Sequence, residues 1–169
     1  DTEAITLMDQ GELLQPPTSD EYARAMILIA HAIEFADNTH ALMNGLLYVA
    51  LGGALGASGR HLLGIGTLKA FGPGYPYGTM IANVLGGFLM GLLAGWLALK
   101  VSGGTNLRLF LGVGLLGGFT TFSAFSLDAV LMYEKKAYGA LLSYVGGSVI
   151  LSIGALMIGL ILARKVFGT

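Results

Sequence analysis

The stretch LFLGVGLLGGFTTFSAFSL, residues 109–127, decides the fold. It contains no charged side chain, and its length is close to the roughly 20 apolar residues that a helix needs to cross a bilayer. Its centre places Gly117 and Gly118 shortly before two β-branched residues, Thr120 and Thr121, which is a poor helix centre. The stretch therefore predicts a transmembrane helix that is broken near its middle.

A break inside the membrane would leave backbone carbonyl and amide groups without partners. Such a break is tolerated only where an ion, polar side chains or a water-filled path replaces the lost hydrogen bonds. The alternative is that the Thr and Ser hydroxyl groups of residues 120–126 bond back to their own helix, with no break at all. The stretch alone leaves both possibilities open.

Three other stretches are free of Asp, Glu, Lys and Arg, namely residues 42–59, 76–99 and 137–163. Together with residues 109–127 they predict an all-α membrane protein with four transmembrane helices per subunit. The chain is 54% hydrophobic and only 11% charged, whereas soluble domains carry about 25% charged residues. A very hydrophobic soluble helical bundle is the alternative, and the length of the uncharged runs argues against it.

The charges divide the chain into two parts. Residues 1–42 hold eight acids and one base, whereas the chain from Met43 onward holds two acids and eight bases. We expect residues 1–42 to be an acidic N-terminal extension of unknown role, in which residues 22–36 could form one short helix beginning near Ser19. Residues 43–169 are expected to form the four-helix membrane domain. No basic stripe interleaves with aromatics, so a nucleic-acid partner is not indicated.

The distribution of Lys and Arg near the ends of the spans predicts the orientation in the membrane. Lys100, Arg108, Arg164 and Lys165 flank one side, and the other side, counted as the first and third loops, has Arg60, Lys69, Lys135 and Lys136. Such a balanced chain has no strong reason to insert one way up. We infer insertion in both orientations and an antiparallel homodimer, the alternative being that a small local bias fixes one orientation.

Polar side chains at membrane depth are costly and are often functional. Asn83 lies midway along the second span, and its amide supplies donors and an acceptor, although it could instead only join two helices. Tyr144, Ser148 and Ser152 recur at a spacing of four and form one hydroxyl stripe. That stripe could contact an anion, or it could serve interhelical hydrogen bonds.

Phe122 and Phe125 share one helix face. Aromatic rings are positive at their edges, so two rings turned edge-on could support an anion without a formal charge. The more common role of such a pair is contact with lipid or core packing.

Catalytic groups are nearly absent from the sequence. There is no Cys, no histidine lies in the middle of a span, and Asp128 is the one carboxylate that could be buried in the membrane. We therefore expect no enzymatic activity. A proton-coupled small-molecule exporter of dual topology stays as the alternative function, but the first two spans lack the titratable carboxylate that such an exporter needs.

Three motifs resemble those of the small fluoride channels, the CrcB or Fluc family. They are Gly52-Gly53-Ala54-Leu55-Gly56-Ala57 with Arg60, Pro76-Tyr77-Gly78-Thr79 running to Asn83, and the Gly117–Ser126 stretch. The resemblance covers roughly residues 43–166. It implies a passive, fluoride-selective channel of the cell membrane, built as an antiparallel homodimer with two ion pathways.

The resemblance also implies roles for individual residues. Asn83 would donate to fluoride, Phe122 and Phe125 would contact it by their ring edges, and the hydroxyl of Thr121 would lie near the pore. Tyr144, Ser148 and Ser152 match the polar track of the fourth helix. The backbone carbonyls of Gly117 and Thr120 would hold a structural sodium ion at the dimer interface. Three departures are Asp128, where the family generally has Glu, Ala124 in place of a frequent Thr, and residues 1–42, which match nothing in the family.

Overall fold

The computed structural model describes residues 19–100 and 104–168. Four of its helices are α1 (Ser19–Phe71), α2 (Tyr77–Lys100), α4 (Phe122–Glu134) and α5 (Tyr138–Phe167). Between α2 and α4 lies α3, which we define as three consecutive pieces: α-helical Thr105–Leu107, π-helical Arg108–Leu116 and α-helical Gly117–Phe119. Four segments are long and apolar enough to cross a membrane, with α3 and α4 together forming the third. The chain is thus a multi-pass, all-helical membrane protein, as the sequence predicts.

Helix α1 begins at Ser19 and continues for 53 residues without interruption. The expected short helix over residues 22–36 is therefore the first part of a longer one. The reason is local, because no Gly or Pro occurs between Ser19 and Asn44 to end the helix. Intrachain contacts group the residues up to Met43 separately from those that begin at Asn44.

The end of α1 lies well beyond the last uncharged residue of the first span. At the C-terminus Gly72 adopts a left-handed φ of 75° and its N–H donates to the Leu68 carbonyl over 2.9 Å, after which Pro73 prevents continuation. Arg60 is consequently inside the helix, not in the first loop where the charge count put it. The placement of Arg60 in a loop was wrong, because the helix continues past the first charge that follows the uncharged run.

The predicted break in the third span is present. Thr120 (φ −80°, ψ 159°) and Thr121 (φ −155°, ψ 125°) are both extended, and they separate α3 from α4. The break lies near the middle of the spanning segment Thr105–Glu134. Because a backbone in this conformation cannot make the regular helical hydrogen bonds, other groups must satisfy it.

Close backbone packing joins α2 to α5. A Cβ atom at Gly91 would collide with the Leu156 carbonyl and lie 2.9 Å from the Leu160 nitrogen, and one at Gly87 would lie 2.8 Å from the Ser152 carbonyl. Gly87 and Gly91 of α2 therefore contact the face of α5 that carries Ser152. This is the small-residue packing expected in lipid, where close approach of backbones replaces the hydrophobic effect.

Candidate functional site

A groove with a volume of about 390 Å³ lies between α2, the break and α5. Both threonines of the break and most of the predicted pathway residues line it. The polar and aromatic residues among them are Asn83, Thr120, Thr121, Phe122, Phe125, Ser148 and Ser152. One groove thus collects residues from three segments that are distant in sequence.

The side-chain amide of Asn83 is bonded to the break. Its Nδ2 donates to the Thr121 carbonyl over 3.0 Å, and its Oδ1 accepts from the Thr121 N–H over 2.8 Å. In an unbroken α-helix that N–H would donate to the Gly117 carbonyl. Asn83 therefore replaces helical hydrogen bonds that the break removes, and the second N–H of its amide is left for another acceptor.

The threonine hydroxyls have different tasks. Thr121 caps α4, since its Oγ1 accepts from the Ala124 N–H over 3.2 Å, which is the usual role of Thr at an N-cap. Thr120 Oγ1 donates back to the Leu116 carbonyl over 3.0 Å. Hydroxyl back-bonding, which the sequence offered as an alternative to a break, thus occurs together with one.

The two phenylalanines differ in exposure. Their ring centroids are 5.6 Å apart at an interplanar angle of 41°. Phe125 is 9% exposed and packs on Tyr144, whereas Phe122 is 78% exposed at the edge of the groove. Core packing accounts for Phe125, but it does not account for Phe122.

Two serine hydroxyls on α5 are buried without a partner. Neither Ser148 Oγ nor Ser152 Oγ has a hydrogen-bond partner among the described residues. The contrast with Ser126 and Ser143 is clear, because these donate to the carbonyls of Phe122 and Ala140 over 2.9 Å. A buried hydroxyl without a partner costs stability, so both groups are available to a ligand in the groove.

Tyr144 does not line this groove. It is fully buried, and its hydroxyl donates to Asp128 Oδ2 over 3.0 Å, an oxygen that also accepts from Thr79 Oγ1 over 2.9 Å. Its ring lies 5.3 Å from that of Phe125, centroid to centroid. Only the two serines of the predicted hydroxyl stripe therefore face the groove. Thr79 was not predicted as a partner of Asp128, although a carboxylate in a membrane span predicts that donors lie nearby.

The break also frees two backbone oxygens predicted to bind a cation. The Thr121 N–H, the helical donor to the Gly117 carbonyl, is used by Asn83. The Ala124 N–H, the helical donor to the Thr120 carbonyl, is used by Thr121 Oγ1. Across the described ranges no group of three His, Asp or Glu side chains could hold a metal. Carbonyls of unwound helices are suitable ligands for Na⁺, so this donor set fits the ion.

A charged side chain that the sequence analysis had assigned to a loop reaches the break. Arg60 is half-buried, and its Nε donates to the Gly118 carbonyl over 3.3 Å. No signal in the linear sequence indicated this contact, because the charge itself had been taken to mark the end of the first span.

Comparison with known proteins identifies the family. The model of the family described as "CrcB-like protein, Camphor Resistance (CrcB)" matches residues 47–160. A relative from Caulobacter vibrioides, named "Fluoride-specific ion channel FluC", is 56% identical over 126 residues, covering 74% of this chain and 99% of the relative. A protein of the same name from Phenylobacterium zucineum is 59% identical with the same coverage. A third, from Agrobacterium fabrum, is 44% identical over 74% of this chain and 100% of its own length. With these matches and the broken third span, the chain belongs to the CrcB family.

Proposed function

We propose that the protein is a passive, fluoride-selective ion channel that lets fluoride leave the cell and so gives fluoride resistance. It is a channel and not an enzyme, as the name shared by its relatives indicates. Those relatives are bacterial, which supports a location in the plasma membrane. The observation that carries the proposal is the pair of buried, unpartnered hydroxyls of Ser148 and Ser152 in a groove that they share with Asn83 and the two phenylalanines.

The chemistry of the groove suits a small anion. Fluoride holds its water tightly, so a selective path must supply close, preorganised donors in place of that water. Ser148, Ser152 and the free N–H of Asn83 are such donors, and the edges of Phe122 and Phe125 carry partial positive charge. Thr121 contributes its hydroxyl beside them. Because none of these groups carries a formal charge, fluoride can bind and leave without being trapped.

Tyr144 lies next to Phe125, and we place it at one end of the same path. Its hydroxyl is bonded to Asp128 in this structure, so it can donate to fluoride only when that bond opens. Tyr144 therefore contacts fluoride only when its bond to Asp128 is open, whereas the hydroxyls of Ser148 and Ser152 are available without such a change.

We further propose an antiparallel homodimer of dual topology. With Arg60 inside α1, the bases near the span ends are Lys69, Lys135 and Lys136 on one side and Lys100, Arg108, Arg164 and Lys165 on the other. The two sides are still nearly balanced, which favours insertion both ways up. The exposed ring of Phe122 is consistent with a pathway that draws residues from two subunits.

A structural sodium ion is the cofactor that we propose for the dimer interface. The Gly117 and Thr120 carbonyls would hold it, and two copies of the chain would supply four such oxygens. The bound ion would supply positive charge that stabilises the broken backbone. In the same assignment residues 43–169 form the channel domain, and residues 1–42 are an extension of unknown role.

Fluoride efflux from liposomes containing the purified protein, read with a fluoride electrode, tests the proposal. Rapid efflux without comparable chloride release is expected. An exporter would instead depend on an imposed proton gradient. If the full chain gives no efflux, the same assay on residues 43–169 separates two explanations. Efflux from the shorter chain would mean that residues 1–42 block the path, and its continued absence would refute the channel assignment.

A further inference from the structure

Arg60 contacts the break near the middle of the third span, and its partner there is a carbonyl and not a carboxylate. It lies eleven residues before Phe71, the last residue of α1, and its Nε donates to the Gly118 carbonyl at the break. A charged side chain in this position is expensive, and where it occurs it usually has a function. Besides this contact, Arg60 lines a separate groove together with Ala57, His61 and Gly64.

Backbone packing between α1 and α3 brings Arg60 to the break. A Cβ atom at Gly118 would lie 2.7 Å from the Gly53 carbonyl, and one at Gly56 would lie 2.8 Å from the Phe119 nitrogen. Arg60 follows Gly56 by about one helical turn on the same face. The close packing of the two backbones therefore brings the Arg60 side chain within reach of the break.

The break removes the helical hydrogen bonds of three nearby carbonyls, and only two of these carbonyls stay open. In an unbroken helix the amides four residues onward would bond the carbonyls of Gly117, Gly118 and Thr120. The Gly118 oxygen instead accepts from Arg60 Nε. The amides that would bond the Gly117 and Thr120 carbonyls donate elsewhere, to Asn83 Oδ1 and to Thr121 Oγ1. The Gly118 oxygen is thus not available to a cation. Its hydrogen bond to Arg60 also holds the backbone that carries the Gly117 and Thr120 oxygens.

We propose that Arg60 is a positioning residue for the sodium site, acting through the hydrogen bond from its Nε to the Gly118 carbonyl. The inference rests on the sodium ion of the proposed function. The bond holds the Gly117–Thr120 backbone in the conformation that presents its two open carbonyls. A different role for an arginine here would be to attract fluoride by its charge alone, and the two roles respond differently to substitution.

Three substitutions of Arg60 distinguish the hydrogen bond from the charge. Arg60→Gln places an amide nitrogen at the same number of bonds from Cα as the arginine Nε, so it keeps the donor and removes the charge. Arg60→Lys keeps the charge, but its ammonium lies one bond further out. Arg60→Met keeps only the length. Arg164→Met, which removes an exposed arginine from the last turn of α5, is the matched control.

The readout is the melting temperature of the purified full-length protein in detergent, without fluoride, as NaCl replaces N-methylglucamine chloride at constant ionic strength. The half-saturating sodium concentration is expected to stay within about twofold of the unsubstituted protein for Arg60→Gln and Arg164→Met. It should rise roughly tenfold for Arg60→Met and Arg60→Lys, which corresponds to about 1.4 kcal/mol, close to the value of one hydrogen bond to a charged group.

Other outcomes would overturn the inference. One such outcome is the same half-saturating sodium concentration in Arg60→Met and in the unsubstituted protein. Another is an unchanged value in Arg60→Lys together with a raised value in Arg60→Gln, which would assign the role to the charge. If Arg60→Met does not fold, the Gln and Lys variants decide. If sodium does not stabilise even the unsubstituted protein, the sodium site itself is refuted, and that result is distinct from a failure confined to Arg60.

Discussion

Asn83 bonds both polar backbone groups of Thr121, accepting from its N–H over 2.8 Å and donating to its carbonyl over 3.0 Å. Asn83→Asp should break this arrangement, because a second carboxylate oxygen would face the carbonyl oxygen in place of a donor. We expect a loss of about 1–3 kcal/mol of stability, the usual result of leaving a buried polar group unpaired, and a loss of most fluoride efflux. Thermal unfolding and the liposome assay measure the two effects.

The control for Asn83 is Asn38→Asp, which makes the same chemical change at an exposed position of α1. It should leave both measurements unchanged. Full efflux from Asn83→Asp would contradict the proposed role of this amide.

Ser148→Ala and Ser152→Ala are expected to separate stability from function. Because neither hydroxyl has a partner among the described residues, removing one should be neutral or stabilising by up to about 1 kcal/mol. Fluoride efflux should nevertheless fall, by roughly tenfold for each hydroxyl if one hydrogen bond to the ion is lost from the transition state. Ser143→Ala, whose hydroxyl already donates to the Ala140 carbonyl, should transport at the normal rate. Normal efflux in both groove variants would remove the serines from the path.

Phe122→Ile should abolish efflux without unfolding the chain. The Phe122 ring is 78% exposed, so its replacement removes little packing within one subunit, but it removes the ring edge that we assign to fluoride. The comparison is Phe35→Ile, since Phe35 is 75% exposed and lies in the N-terminal part of α1. A folded Phe122→Ile protein that transports like the Phe35 variant would show that the ring only contacts lipid or a neighbouring subunit.

Gly91→Ala should weaken the contact between α2 and α5. The added Cβ would meet the backbone of Leu156 and Leu160, which cannot move aside as a side chain can. Overpacking of this kind costs about 1–3 kcal/mol. Gly154→Ala on α5 is the matched substitution, because a Cβ there meets no atom within 4 Å, and it should be neutral or slightly stabilising. Thermal unfolding in detergent compares the two, and equal melting temperatures would contradict the packing described here.

The four spans and the break could be predicted because both depend on local sequence. Uncharged length identifies a span, and the glycines and threonines of residues 117–121 indicate a weak helix centre. The partners of the freed backbone could not be predicted in the same way. That Asn83 bonds Thr121, and that Asp128 holds the Tyr144 hydroxyl, depends on the packing of separate helices. The π-helical turn over Arg108–Leu116 had no recognisable signal.

The position of Arg60 shows that a helix can continue past the end of an uncharged run. A run of uncharged residues gives the minimum length of a membrane helix. A charged residue marks the end of the membrane segment only if its side chain must reach water. Here the guanidinium finds a carbonyl at the break instead. Helix α1 therefore continues to Phe71, and the left-handed backbone of Gly72 ends it.

The pairing of Asn83 with main-chain atoms has a consequence for suppressor genetics. Both of its bonds go to the peptide groups of residue 121 and none to that residue's side chain. No exchange of the side chain at position 121 can restore what a change at position 83 removes. A selection for fluoride-resistant revertants of a substitution at position 83 should therefore recover the original codon or changes at other sites. No suppressor substitution should be found at position 121.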